Sequence, residues 1–252
     1  MDVANLHFKK GRLQVMSYEK WLEGIKASSG DPAWNDYDCD IQAAVSEYNR
    51  HLGTTTGFSP LDWRFVKAML WTETGGANPE WKKKPMQIGV PGDAGMMALL
   101  GDKEGGKQIM PPNIRASLSS DSIRTNPAHN IRGGIGYMLM RMANFAFVSV
   151  REPGSRVQEV KVGPGDSFDK IASANSSTLQ VVRELNPGLN ILHKGDVVKV
   201  QKASMQKVIT GWRQINATAV MVRYNGSRDP RYADKVNVCL TYLKGRDAEC
   251  AS

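Results

Sequence analysis

Apolar positions recur at helical spacing along most of this chain. Trp21, Leu22 and Ile25 predict a short helix closed by the Ser28-Ser29-Gly30-Asp31-Pro32 run. Ile41, Val45, Tyr48 and Leu52 mark the buried face of a second, with Asp38 as its cap and Gly53 as its stop. Leu61, Phe65, Ala68, Met69 and Thr72 share one face of a third. There Ser59 can cap, Pro60 suits the first helical position, Asp62 favours the N-terminal dipole, and Gly75-Gly76 supply a left-handed stop. A turn over 90–95 leads to a brief apolar helix, Met96 to Leu100. Asn126-Pro127 opens a long helix that buries Ile131, Ile135, Met138, Leu139 and Met142, and Gly133, Gly134 and Gly136 leave it bare for close packing. Near the end, Trp212, Ile215, Ala219 and Val222 predict one helix. Asp229-Pro230 starts another through Tyr232, Val236, Leu240 and Leu243, stopped by Gly245. Residues 1–16 carry no such pattern and read as a lead-in.

The pattern changes near Pro153. Residues 158–202 read strand, helix, helix, strand: Glu159 to Val162, Ser167 to Ala174, Thr178 to Asn186, and Val197 to Val200. Gly163-Pro164-Gly165-Asp166 is a turn, Ser167 and Thr178 can cap, and Pro187-Gly188 ends the second helix. The expected class is α+β: a mostly helical domain built from residues 1–152 and 204–252, interrupted by a small βααβ module at 158–202. An insertion at a surface loop costs little when its ends lie close together.

Candidate chemistry begins at Glu73. It falls in the last turn of the third helix, over Met69 and Leu70. Apolar surroundings and the unpaired carbonyls of a helix C-terminus both disfavour its charge, so its pKa should rise, as a general acid at neutral pH requires. A lone Glu at a helix end is more often a fraying surface residue; its neighbours change that reading. Glu73-Thr74-Gly75-Gly76, followed by Pro85-Met86-Gln87-Ile88-Gly89, resembles the soluble lytic transglycosylase and goose-type lysozyme superfamily. Arg223-Tyr224-Asn225-Gly226 matches a third, looser element of that family, lacking its flanking Ala and second small residue. The resemblance implies a lysozyme-like helical domain that cleaves the β-1,4 bond between N-acetylmuramic acid and N-acetylglucosamine. It implies Glu73 as proton donor, with Thr74, Met86, Gln87, Ile88, Tyr224 and Asn225 lining the glycan cleft. A muramidase of this superfamily also needs a carboxylate to hold water, for which Glu80, Asp93 and Asp102 are candidates. Asp93, in its Pro-Gly-Asp-Ala-Gly turn, is the first choice, although acids in such turns mostly cap them. A lytic transglycosylase needs no second acid, and that type is expected here. A non-catalytic wall-binding protein is the rival reading.

The βααβ segment resembles a LysM module through Gly165-Asp166-Ser167, Ile171-Ala172, Leu185-Asn186-Pro187 and Gly195-Asp196. That resemblance implies a shallow groove for N-acetylglucosamine-containing glycans. It would be formed by Gly165, Asp166, Ser167 and Phe168 with Pro187, Gly188, Leu189, Asn190 and Ile191.

Composition narrows the partners. The net charge of +8 and pI near 9.4 suit a polyanionic surface such as nucleic acid, anionic membrane or cell wall. The basic residues are scattered and no nucleic-acid motif accompanies them, so nucleic acid is not expected. Gly101 to Lys107 mimics a phosphate loop, but Gln108 stands where Ser or Thr is needed and no strand precedes it. Cys39, Cys239 and Cys250 lack metal-ligand spacing, so neither metal nor cofactor is expected. Cys239 and Cys250 can pair in an oxidising compartment or remain thiols. No apolar run reads as a secretory signal or a membrane span. The expected protein is made in the cytoplasm and reaches the periplasmic wall by a non-classical route, as a phage endolysin or as an exported antibacterial effector. An effector requires an inhibitor (immunity) protein in the producing cell.

Overall fold

The computed structural model describes residues 17–247, except Pro91 and Asp102, together with Cys250. The lead-in at 1–16 and the candidate acid Asp102 lie outside the described residues. The chain is α+β, about half helical, with two small antiparallel strand pairs.

Helix α1 (Tyr18–Ser28) is capped by Ser17, and α2 (Asp38–Leu52) buries Ile41, Ala44, Val45, Tyr48 and Leu52. Asp38 is not the cap of α2. Tyr37 precedes the helix without a side-chain capping bond, while the Asp38 carboxylate reaches the Lys67 ammonium at 2.6 Å. Lys67 is 1% exposed, and Asn35 Oδ1 also accepts from it. A buried ammonium needs such partners, and that demand outweighs a cap.

Helix α3 (Trp63–Glu73) starts later than its sequence pattern suggests. Asp62 caps it, accepting from the Arg64 amide at 2.8 Å, and Ser59-Pro60 remain in the preceding segment. Burial is not confined to one stripe: Val66 through Trp71 are all buried, because α2 and α12 (Tyr232–Leu243) both pack on this helix. After it, Gly75 adopts φ +70°, and a Cβ there would stand 2.4 Å from the Trp34 ring; one on Gly76 would stand 2.7 Å from it. The two glycines therefore do more than end the helix. They let Trp34 seal its end.

Four short helices follow: α4 (Ala94–Leu100), α5 (Gly106–Ile109), α6 (Pro112–Ser117) and α7 (Ser120–Thr125). They lead into α8 (Pro127–Met142), capped by Asn126, which runs through the core. Its glycines act as contact points. A Cβ on Gly134 would meet Met86 Cβ at 2.7 Å, and one on Gly136 would meet the Tyr48 hydroxyl at 2.5 Å.

Strands β1 (Ala143–Arg151) and β4 (Ala203–Trp212) form an antiparallel ribbon that the helical reading missed. Trp212 ends β4 instead of belonging to a helix, and its indole donates to Thr55 Oγ1 at 2.9 Å. Ile215 lies in the link, α11 (Ala217–Arg223) starts at the Asn216 cap, and Val222 is 49% exposed. The ribbon carries β2 (Gln158–Lys161), α9 (Phe168–Ala174), α10 (Leu179–Leu185) and β3 (Val197–Val200). In this unit β2 pairs with β3 around a separate apolar cluster that includes Phe168, Ile171, Val182 and Val198. The main core holds α2, α3, α8 and α12 together.

Cys250 is bonded to Cys39, with their Cα atoms 5.5 Å apart; the Cys239–Cys250 pairing does not form. Cys239 faces α3 from α12, fully buried, with its sulfur 3.8 Å from Thr72 Oγ1. Burial raises its thiol to about 12. Among the described residues no helix is long and apolar enough to cross a membrane.

Candidate active site

A cleft of ≈ 650 Å³ opens where the end of α3, the 86–95 segment, α8 and the turn after α11 meet. Glu73 lines it, half-buried, and the Tyr232 hydroxyl donates to its Oε1 at 2.8 Å. The carboxyl is pushed up to about 7, chiefly by burial, with Asp229 adding to the shift. The Tyr232 hydrogen bond, Lys235 and Arg228 pull the other way. With Oε1 taken by Tyr232, the acid's proton belongs on Oε2. The group can then be half protonated near neutrality, the state a general acid needs.

The structure brings Met86, Gln87 and Ile88 to the same cleft. Met86 and Ile88 are 1% and 4% exposed, so they form the floor of the cleft. Gln87 sits at φ +53°, and its amide donates to Lys84 O at 2.9 Å. Thr74 is not part of the lining; its hydroxyl donates to Pro85 O at 2.8 Å and ties the helix end to this segment. Asn130, an unforeseen participant, is fully buried and holds the segment in place. Its Oδ1 accepts from the Met86 amide, and its Nδ2 donates to Ile88 O and Ile123 O, each at 2.8 Å.

Tyr224 and Asn225 arrive from the end of α11. The Tyr224 hydroxyl donates to Met86 O at 2.8 Å and its ring lies 5.5 Å from Tyr137. Asn225 Oδ1 accepts from the Asp229 amide at 3.0 Å, which shapes the turn it belongs to. Asp93 also lines the cleft, as the cap of α4. One oxygen accepts from Gly89 N at 2.6 Å, the other from Gly95 N at 2.8 Å and Met96 N at 3.3 Å. Both oxygens are thus engaged by backbone amides, leaving Asp93 poorly equipped to hold a water. Glu80 pairs with Lys84 at 2.8 Å and is not part of the cleft lining.

Sequence reasoning did not single out Tyr232, Asn130, Tyr137, Arg141, Arg223 or Arg228 as site residues. Tyr232 read as core because nothing local marks a partner 159 residues away. Asn130 did carry a signal, an amide on the otherwise apolar side of a glycine-rich helix.

In the βααβ unit, Asp166 Oδ2 accepts from Gly163 N at 2.7 Å and Ser167 caps α9. Gly165 and Gly188 both take positive φ. Phe168 is 6% exposed in the unit's core, with the Arg183 guanidinium 4.6 Å above its ring, so its side chain supports the loop from beneath. Leu189 packs partly on the same cluster, which anchors the second loop there too. Pro187 and Asn190 are exposed, and Ile191 is 70% exposed.

No family model, curated protein or solved structure matches the chain.

Replacing Tyr232 with Phe removes a hydrogen bond that favours the Glu73 carboxylate, so the Glu73 pKa should rise above about 7. The acid then stays protonated to higher pH, and the alkaline limb of any Glu73-dependent activity moves up. A pH–rate profile measures this. A limb that stays in place or moves down would remove Tyr232 from control of the acid.

Proposed function

We propose that this protein is a peptidoglycan-cleaving glycosidase of the lysozyme-like superfamily, of the lytic transglycosylase type. One observation carries the reading: Glu73, with its carboxyl raised to about 7, shares a cleft with Met86–Ile88, Tyr224 and Asn225. Glu73 protonates the glycosidic oxygen as the bond from muramic acid C1 breaks. The 6-hydroxyl of the same sugar then attacks C1, and its proton returns to the Glu73 carboxylate. No water is consumed, and the product is a 1,6-anhydro ring. The engagement of both Asp93 oxygens by backbone amides favours this route over hydrolysis. The position of Asp93 in the cleft keeps a muramidase as the second reading.

The βααβ unit serves as a LysM module, holding glycan close to the cleft so that a second contact with the same polymer becomes intramolecular. The net positive charge suits a wall rich in carboxylates. The Cys39–Cys250 bond fits action in the periplasm, an oxidising compartment, after delivery as an effector or endolysin.

The test is the mass of soluble muropeptides released from purified wall. Anhydro-muropeptides are expected, and reducing-end products heavier by one water would replace this reading with a muramidase. Asp93→Asn should keep activity within about tenfold while losing about 1 kcal/mol of stability, because the amide has one oxygen and cannot accept from both Gly89 N and the first amides of α4. A loss on the order of 10³ with an unchanged fold would make Asp93 the base.

A further inference from the structure

The loop at 101–107, which mimics a phosphate loop in sequence, borders a cavity of ≈ 780 Å³ that shares no lining residue with the cleft. Its helix, α5, has only four residues, so the loop contributes side chains and not a helix dipole. Lys103 and Lys107 line the cavity together with Arg115 from α6, Lys207 from β4 and His51 from α2. Among the described residues, no carboxylate lines it. Glu104, between the two loop lysines, pairs instead with Arg141 at 3.5 Å. Two contacts brace the walls: Gln108 Nε2 donates to Lys207 O, and the Lys207 ammonium donates to Lys103 O. That ammonium also lies 5.9 and 5.6 Å from the Phe145 and Phe147 rings. Phe147 lines the cavity and is 65% exposed. Like charges gathered without a carboxylate repel one another, and a bound polyanion relieves that repulsion. Arg115 alone offers the planar fork that suits a carboxylate, whereas ammonium groups are point charges that meet phosphate oxygens from any direction. One phosphate group carries at most about two negative charges near neutrality. Several together match this lining better.

We propose that this cavity is a second binding site, for clustered phosphate groups, carried on a soluble polyphosphorylated anion or displayed by the headgroups of a lipid surface. Lys103, Lys107, Arg115 and Lys207 hold the phosphates, and Gln108 fixes the loop to the ribbon so that the cations stay together. On a lipid surface the exposed Phe147 ring would enter the headgroup layer beside the Lys207 ammonium. The inference stands apart from the glycosidase reading, since the two sites have separate linings.

The experiment titrates the full chain calorimetrically with tripolyphosphate and with citrate at about 0.15 M ionic strength, where diffuse surface charge is largely screened. Tripolyphosphate should bind about tenfold or more tightly than citrate. Lys103→Gln/Lys107→Gln should weaken it about tenfold or more, and both positions are exposed, so the fold is spared. Lys20→Gln/Lys26→Gln removes the same charge from exposed positions of α1 and should stay within about twofold of wild type. A parallel arm measures co-sedimentation with phosphatidylglycerol and phosphatidylcholine vesicles. Binding to the first alone, lost in Lys103→Gln/Lys107→Gln and weakened about threefold or more by Phe147→Ser, assigns the phosphates to a lipid surface. Tripolyphosphate binding without vesicle binding assigns them to a soluble anion. Citrate bound as tightly as tripolyphosphate would overturn phosphate recognition. Equal losses in the two double variants, or none in either, would overturn the siting. Binding of neither tripolyphosphate nor vesicles would overturn the proposal outright, with the glycosidase reading untouched.

Discussion

Glu73→Gln should lower wall lysis by on the order of 10³ or more, because it removes the proton donor and little else. The substituted amide keeps an oxygen for the Tyr232 hydroxyl, and the neutral side chain matches the protonated acid in shape. The same substitution should make the protein more stable in alkaline solution. The sign follows from the raised pKa. Folding favours the protonated carboxyl, so this stabilisation is complete below the unfolded value near 4.5 and is lost as pH rises through about 7. Above that, the wild type carries an ionised, largely desolvated carboxylate, and the variant does not. At pH 8.5 the variant should exceed the wild type by up to about 3 kcal/mol, with the difference vanishing near pH 4. Denaturant melts of both proteins at the two pH values, beside lysis assays, measure the pair of effects. Lysis within tenfold of wild type would remove Glu73 from the chemistry. Equal stabilities at pH 8.5 would show that its carboxyl is not held above its ordinary value.

The second large effect is expected at the disulfide. Cys39 and Cys250 are 211 residues apart in sequence, so their bond constrains nearly the whole unfolded chain. A loop of that length corresponds to a stabilisation of up to about 5 kcal/mol in the chain-entropy account. Cys250→Ser should therefore lower Tm by about 10 °C. Dithiothreitol should do the same to the wild type and nothing further to the variant. Cys239, buried against Thr72, should remain unreactive in the native state. Matching Tm values for the oxidised and reduced protein would show that the cross-link only fastens the C-terminal tail to α2. Under the proposed periplasmic action, the reduced form made in the cytoplasm is the less stable one, and oxidation after delivery completes the fold.

Much of the helical plan was legible in the chain because its signals are local. Apolar residues three and four apart define a face, and Asn126, Ser167 and Thr178 cap the helices they precede in sequence. Glu73 was legible as an acid at an apolar helix end for the same reason. The βααβ order at 158–202 was also readable, since each of its elements is short and bounded by its own turn or cap. The β1–β4 ribbon was less so. Phe145, Phe147 and Ser149 alternate as a strand requires, but their partners Ile209, Lys207 and Met205 lie across the whole intervening unit.

What only the tertiary structure decided is which distant surfaces meet. Asp38 looked like a cap until Lys67 was found buried beside it, and Asp93 looked available until three backbone amides were found on it. Tyr232 and Asn130 became site residues through partners far from them in sequence, Glu73 and Met86. Cys250 bonded to Cys39 rather than to Cys239, its nearer neighbour in sequence. The sequence by itself determined where most of the helices form and which residues are candidates for the chemistry, because propensity, capping and periodicity act within a few positions. The state of each functional group, whether protonated, engaged or exposed, was decided by desolvation and pairing, which exist only once the packed elements exclude water.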